Sequence, residues 1–167
     1  RDVMDEFSNL TQEVRISPPS MNLSELLRTV ADDMSEKSES QNTDLGLDLA
    51  SETVEISGDW KRLHEAFSNL ALNALEALGS GGTLRLSLDI LENQARVRVT
   101  DTGPGLPPDE LKKIFEPFWT GKRKGMGMGL VITRSVFEKH GGEIRVESVF
   151  GKGTEFTVFL PLLREDN

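Results

Sequence analysis

The stretch from Asp101 to Leu130 reads DTGPGLPPDELKKIFEPFWTGKRKGMGMGL, and it can be neither one helix nor one strand. Glycine and proline recur through it, and each interrupts a regular backbone in its own way. An acid precedes a Gly-Pro-Gly turn; a short amphipathic helix, an aromatic knot, a basic loop and alternating glycines follow. Regular structure must therefore lie on either side and hold this stretch in place. A carboxylate at one end accepts from donors on a ligand, while bare backbone amides at the other end face anions. The pairing points to a nucleotide, with its base near Asp101 and its phosphates near the glycine run.

The flanks supply the scaffold. Val3, Phe7, Leu10 and Val14 form a stripe at helical spacing that reads as the end of a longer helix, halted by Pro18 and Pro19. Asn22 and Glu25 make a capping-box pattern, the Asn side chain being placed to accept from the third helical amide. A helix over 23–38 follows, with Leu26, Leu27, Val30 and Met34 inward. Leu45, Leu47 and Leu49 alternate as a half-buried strand, and Val54 and Ile56 give a short second one. A long helix runs from Asp59 to about Leu78 and breaks at Gly79 to Gly82. Thr83 to Ile90 and Ala95 to Thr100 read as a hairpin turning near Glu92 and Asn93. Leu130 to Lys139 is a helix capped by Gly141, and strands at Ile144 to Ser148 and Thr154 to Leu160 close the chain. Parallel crossovers do not dominate this order. It predicts an α+β, two-layer α/β sandwich: a mixed, mostly antiparallel sheet covered on one face by about three helices.

Composition removes several classes of function. The chain of 167 residues has no cysteine and only two histidines, which excludes disulfides, thiolate zinc and a multi-histidine metal site. Its net charge of −9 argues against nucleic acid as a partner. No apolar run approaches the roughly 18 residues of a membrane span, so no membrane contact is expected of it. Because it opens on Arg1, it reads as a cytoplasmic piece of a longer protein whose missing part could carry a membrane anchor or sensor. Against the acidic background, Lys122, Arg123 and Lys124 form a tight cluster beside the glycine run.

Three further groups carry chemistry. Asn69 and Asn73 project from one face of an otherwise apolar helix, either as an amide pair at the core edge or as oxygen ligands for Mg²⁺ carried by a nucleotide. Asp101, followed by Gly103 and Gly105, is either a turn or an acceptor for an exocyclic amine, which would select adenine over guanine. GMGMGL, Gly125 to Leu130, opens a helix and turns amides toward phosphate oxygens, yet it fits neither a Walker loop nor a Rossmann turn. GKGTEF, Gly151 to Phe156, is on its own a hairpin turn. Phe115, Phe118 and Trp119 read as core or loop anchors. His140 reads as a helix-end residue favourable to the dipole, and His64 as a half-exposed helix residue within reach of the site.

In this order the pieces resemble the catalytic, ATP-binding domain of two-component sensor histidine kinases, in the superfamily shared with gyrase, MutL and heat-shock chaperones. NLALNA matches the asparagine box, DTGPG the first glycine box, FEPFW the phenylalanine box, GMGMGL the second glycine box and GKGTEF a last one. The resemblance implies a Bergerat-type sandwich that binds ATP and Mg²⁺ and passes the γ-phosphoryl group to a histidine. It implies adenine at Asp101, walled by Gly103 and Gly105 and supported by Thr154. Asn73 would hold Mg²⁺ with Asn69 as helper, and Gly127 and Gly129 would approach the phosphates. Phe118, Lys122, Gly125 and Leu130 would complete the nucleotide contacts, with a short mobile lid from Phe115 to Gly125. Residues 1–16 would end a dimerisation helix, 17–163 form the catalytic domain and 164–167 a tail. Partners implied are the dimerisation and phosphotransfer domain of the same protein, as a homodimer, and a response regulator. Glu76 stands where many relatives carry a base, which shifts phosphate neutralisation to Lys122. No phosphoacceptor box surrounds His64 or His140, so the acceptor is expected elsewhere. A serine kinase of the anti-sigma-factor type and a non-enzymatic nucleotide-binding module are the alternatives.

Overall fold

The computed structural model describes residues 19–116 and 129–164. The elements are β1 (Ser20–Asn22), α1 (Leu23–Ser40), β2 (Asp44–Leu49), β3 (Glu55–Ser57), α2 (Trp60–Leu78), β4 (Thr83–Leu91) and β5 (Gln94–Asp101). After these come α3 (Pro108–Leu111), α4 (Gly129–Lys139), β6 (Glu143–Val149) and β7 (Gly153–Pro161). The stripe from Val3 to Val14, residues 117–128 with most of the lid expected from Phe115 to Gly125, and the last three residues lie outside the described part.

Five strands form one sheet in the order β2-β4-β5-β7-β6. The β2–β4 pair is parallel and the other three pairs are antiparallel. Strand alternation sorts the sheet into two faces. Leu84, Leu86 and Leu88, Ala95, Val97 and Val99, and Phe156, Val158 and Leu160 are buried on one face. Helices α1, α2 and α4 pack there, so the one-face sandwich read from the sequence is the observed architecture. Phe67 of α2 and Phe137 of α4 join those two helices, their ring centroids 4.9 Å apart. Burial of each such ring is worth about 1.5–3 kcal/mol.

Local chemistry sets the element ends. Asp59 caps α2 by accepting from the Arg62 amide, and Gly79 ends it at φ +70°. The β4–β5 hairpin turns through Glu92 and Asn93, both at positive φ, which matches the twist of a tight hairpin. Two features differ from the sequence reading. β1 was not foreseen; it pairs antiparallel with β3 in a separate two-stranded sheet. Asn22 caps α1 through the second helical amide, Ser24 N–H, at 3.0 Å instead of the third. The reason is that the same Oδ1 also accepts from Val54 N–H at 3.1 Å, while Nδ2 donates to Glu52 O. One amide thus ties the start of α1 to the β3 loop.

The histidines are both used in packing. His64 Nε2 lies 2.8 Å from Asp33 Oδ2 on α1. His140 Nε2 accepts from Asp59 N–H at 3.0 Å, which places the ring proton on Nδ1, the atom facing Val136 O. His140 therefore bridges the end of α4 to the cap of α2, a more specific role than favourable placement at a helix end.

Candidate functional site

The registers of the sheet locate the site. Leu88, Val97, Val158 and Ile144 make one cross-strand row, and Leu86, Val99, Phe156 and Val146 the next. One step further along the same face the row becomes Leu84, Asp101, Thr154 and Ser148. The core face thus ends in three polar residues. Asp101 and Thr154 are nevertheless only 6% and 9% exposed. Polar groups so deeply placed need partners, because an unpaired one costs about 1–3 kcal/mol.

Glycines let backbone close around this corner. Asp101 Oδ1 accepts from Gly103 N–H at 2.8 Å. A Cβ on Gly103 would lie 2.9 Å from that oxygen and 3.5 Å from the Ala77 backbone of α2. Gly105 has φ +70°, and a Cβ there would come within 2.3 Å of Val149 O. Gly151 N–H donates to Pro104 O at 2.6 Å, stitching the β6–β7 turn to the loop after β5. These contacts and the β5–β7 register bring Asp101, Gly103, Gly105 and Thr154 into one corner.

Helix α2 brings the asparagines alongside. Asn73 is 4% exposed and lies one turn before Ala77. Its Nδ2 has no hydrogen-bond partner among the described residues. Asn69 is half-buried, and its Nδ2 donates to Thr133 Oγ1 of α4 at 2.8 Å. That bond leaves Oδ1 as the end of the Asn69 amide available to a cation. A shallow groove of about 190 Å³ between α2 and α4 is lined by Glu65, Asn69, Ile132 and Thr133. It includes Asn69 but not the Asp101 corner.

The remaining predicted residues divide in two. Gly129 is the first residue of α4, and Leu130 is buried in the core at 3% exposure. Phe118, Lys122, Gly125 and Gly127 lie outside the described residues, as do Trp119, Arg123 and Lys124. Phe115 anchors the start of that region: its ring meets Phe156 edge-on at 6.5 Å, and the Arg134 guanidinium sits 5.4 Å from its centroid. Sequence reasoning missed Ser148, Gly153 and Thr133. Ser148 carried a usable signal, being the inward position after Ile144 and Val146 where an apolar residue was due.

An asparagine-bearing helix thus stands beside a glycine-walled carboxylate at the end of the sheet. Residues 58–164 match the family described as histidine kinase-, DNA gyrase B- and HSP90-like ATPases. The chain belongs to that family. The catalytic domain of histidine kinase ThkA superposes with a TM-score of 0.79 at 33% identity, over 87% of this chain and 96% of that one. ThkA in complex with the response regulator protein TrrA matches with a TM-score of 0.76 at 29% identity, over 96% of this chain and 49% of that one. Sensor histidine kinase ZraS of Salmonella typhimurium is 34% identical over 165 residues, which is 96% of this chain and 35% of ZraS. The chain thus spans about a third of the curated relative's length. Its fold and family are those of a histidine-kinase catalytic domain.

Proposed function

We propose that this domain holds Mg-ATP and donates the γ-phosphoryl group to a histidine on a dimerisation domain, within a homodimeric kinase of the cytoplasm that serves a response regulator. The observation that carries the reading is the polar end of the core face. Asp101 and Thr154 sit there side by side on adjacent strands, with Asn73 on the helix above. Asp101 accepts from the adenine amine, and Gly103 and Gly105 let the ring approach the backbone. Thr154 supports the same end. Asn73, with Asn69 as helper, offers amide oxygens to Mg²⁺, which favours oxygen ligands and takes few from protein. Asn73 is buried and its Nδ2 has no partner among the described residues, so packing alone does not satisfy the amide, whose Oδ1 is the atom a cation would take. Bound Mg²⁺ would supply charge neutralisation to the phosphates. By the family resemblance, Gly125, Gly127 and Gly129 would serve the phosphates, Lys122 would add positive charge, and Phe118 and Leu130 would complete the nucleotide contacts.

Both histidines are already engaged, His64 with Asp33 and His140 with Asp59 N–H and Val136 O. The acceptor histidine therefore belongs to another domain or molecule. The solved pairing of ThkA with TrrA supports a response regulator as the downstream partner. No helix among the described residues is long and apolar enough to cross a membrane. The test is to mix the chain with γ-labelled ATP, Mg²⁺ and a separately supplied dimerisation domain carrying its histidine. Acid-labile label on that domain is expected, falling sharply with Asn73→Ala and with Lys122→Ala. Acid-stable phosphoserine would establish the serine-kinase alternative instead.

A further inference from the structure

Ser148 sits at the inward end of β6, directly across from Thr154, and its hydroxyl joins three segments. It accepts from Leu106 N–H at 2.7 Å, lies 3.0 Å from Gly153 O and lies 2.9 Å from Thr154 Oγ1. Counting protons settles the direction of each bond. A hydroxyl has one proton and two lone pairs. Gly153 O can only accept, so the Ser148 proton goes there. The contact with Thr154 then has Thr154 as donor, and Leu106 N–H fills the second lone pair of Ser148. Every capacity of Ser148 is used.

The consequence falls on Thr154. With its own proton held by Ser148, Thr154 Oγ1 has only lone pairs left to offer. Asp101, its register partner on β5, is a carboxylate and likewise accepts. We propose that Ser148 is a specificity-determining positioning residue. By fixing the polarity of the Thr154 hydroxyl, it sets two acceptors, Thr154 Oγ1 and the Asp101 carboxylate, side by side for the 6-position of the base, which favours a 6-amino purine over a 6-oxo purine. This rests on the nucleotide reading above and extends it to a residue that touches no nucleotide. Without Ser148, the Thr154 hydroxyl turns freely and can donate to a 6-oxo group, so discrimination weakens.

The experiment measures Kd for ATP and for inosine triphosphate on the full 167-residue chain and on variants, with thermal melting as the folding control. Ser148→Ala is expected to narrow the ATP preference by about fivefold, the scale of one hydrogen bond. Ser148→Thr, which keeps a hydroxyl, should hold the wild-type ratio. Thr154→Val should narrow the ratio as well, and adding Ser148→Ala to it should change nothing further. An unchanged ratio in Ser148→Ala, or an equal effect with and without Thr154, overturns the proposal. Should Ser148→Ala fail to fold, a wild-type ratio in Thr154→Val overturns it equally. Absence of any ATP preference in the wild-type chain would refute the base-site reading itself, and that result is separate from the Ser148 outcomes.

Discussion

Gly105 shows how little room the corner leaves. Its φ of +70° is a conformation that L side chains adopt at a cost, and Val149 O stands where a Cβ would go. Gly105→Ala must therefore strain the backbone and push apart the loop after β5 and the β6–β7 turn. The two effects together are expected to cost about 3 kcal/mol, read as a lower urea midpoint with an unchanged slope. A glycine replaced at Gly151 meets no atom within 4 Å and bears only the φ penalty, so Gly151→Ala should cost less. Asn73 presents the opposite case: it is buried, yet its Nδ2 has no hydrogen-bond partner among the described residues.

The strands have two faces with different tasks, and the outer one is stabilised by charge. On that face Arg96 of β5 donates through Nε to Asp89 Oδ1 of β4 at 2.8 Å, in register across the hairpin. The hydrogen bond from Arg96, aided by the charges of Arg96 and Arg98, holds the Asp89 carboxyl below its ordinary value of 3.8. A carboxylate whose folded-state pKa is depressed adds stability above the unfolded value and loses it as pH falls through the folded one. Asp89→Asn is therefore expected to lower Tm at neutral pH, and the gap from wild type should close as the pH drops below 3.8. A gap that stays constant across that range would locate the effect in packing instead of charge. At this scale most elements were legible, because long amphipathic runs such as Leu63 to Leu78 and the hairpin around Asn93 carry their own signals. β1 was not, since three residues between a proline pair and a helix cap have no period to read. Its existence depends on pairing with β3, more than thirty residues on. Asn22 was read as a cap, but its second bond, to Val54, depends on the same non-local pairing.

At the scale of the whole domain, the site exists because the core face runs out. Two apolar rows are covered by α1, α2 and α4, and the third row turns polar at Asp101, Thr154 and Ser148. Asp101, Asn73 and Thr154 were named from the sequence as site candidates. The row that Asp101 and Thr154 share could not be read there, because it follows from the β5–β7 register between strands far apart in the chain. The same is true of Ser148 and Thr133, whose partners sit on other elements. The central claim is that this polar end of the sheet reads the base of ATP through Asp101. It is tested most directly by titrating ATP into the wild-type chain and into Asp101→Asn, with melting curves to confirm that both fold. The account predicts saturable binding to the wild type and at least about tenfold weaker binding to the variant, because an amide donor then faces the amine. Equal affinities for the two folded proteins would contradict it.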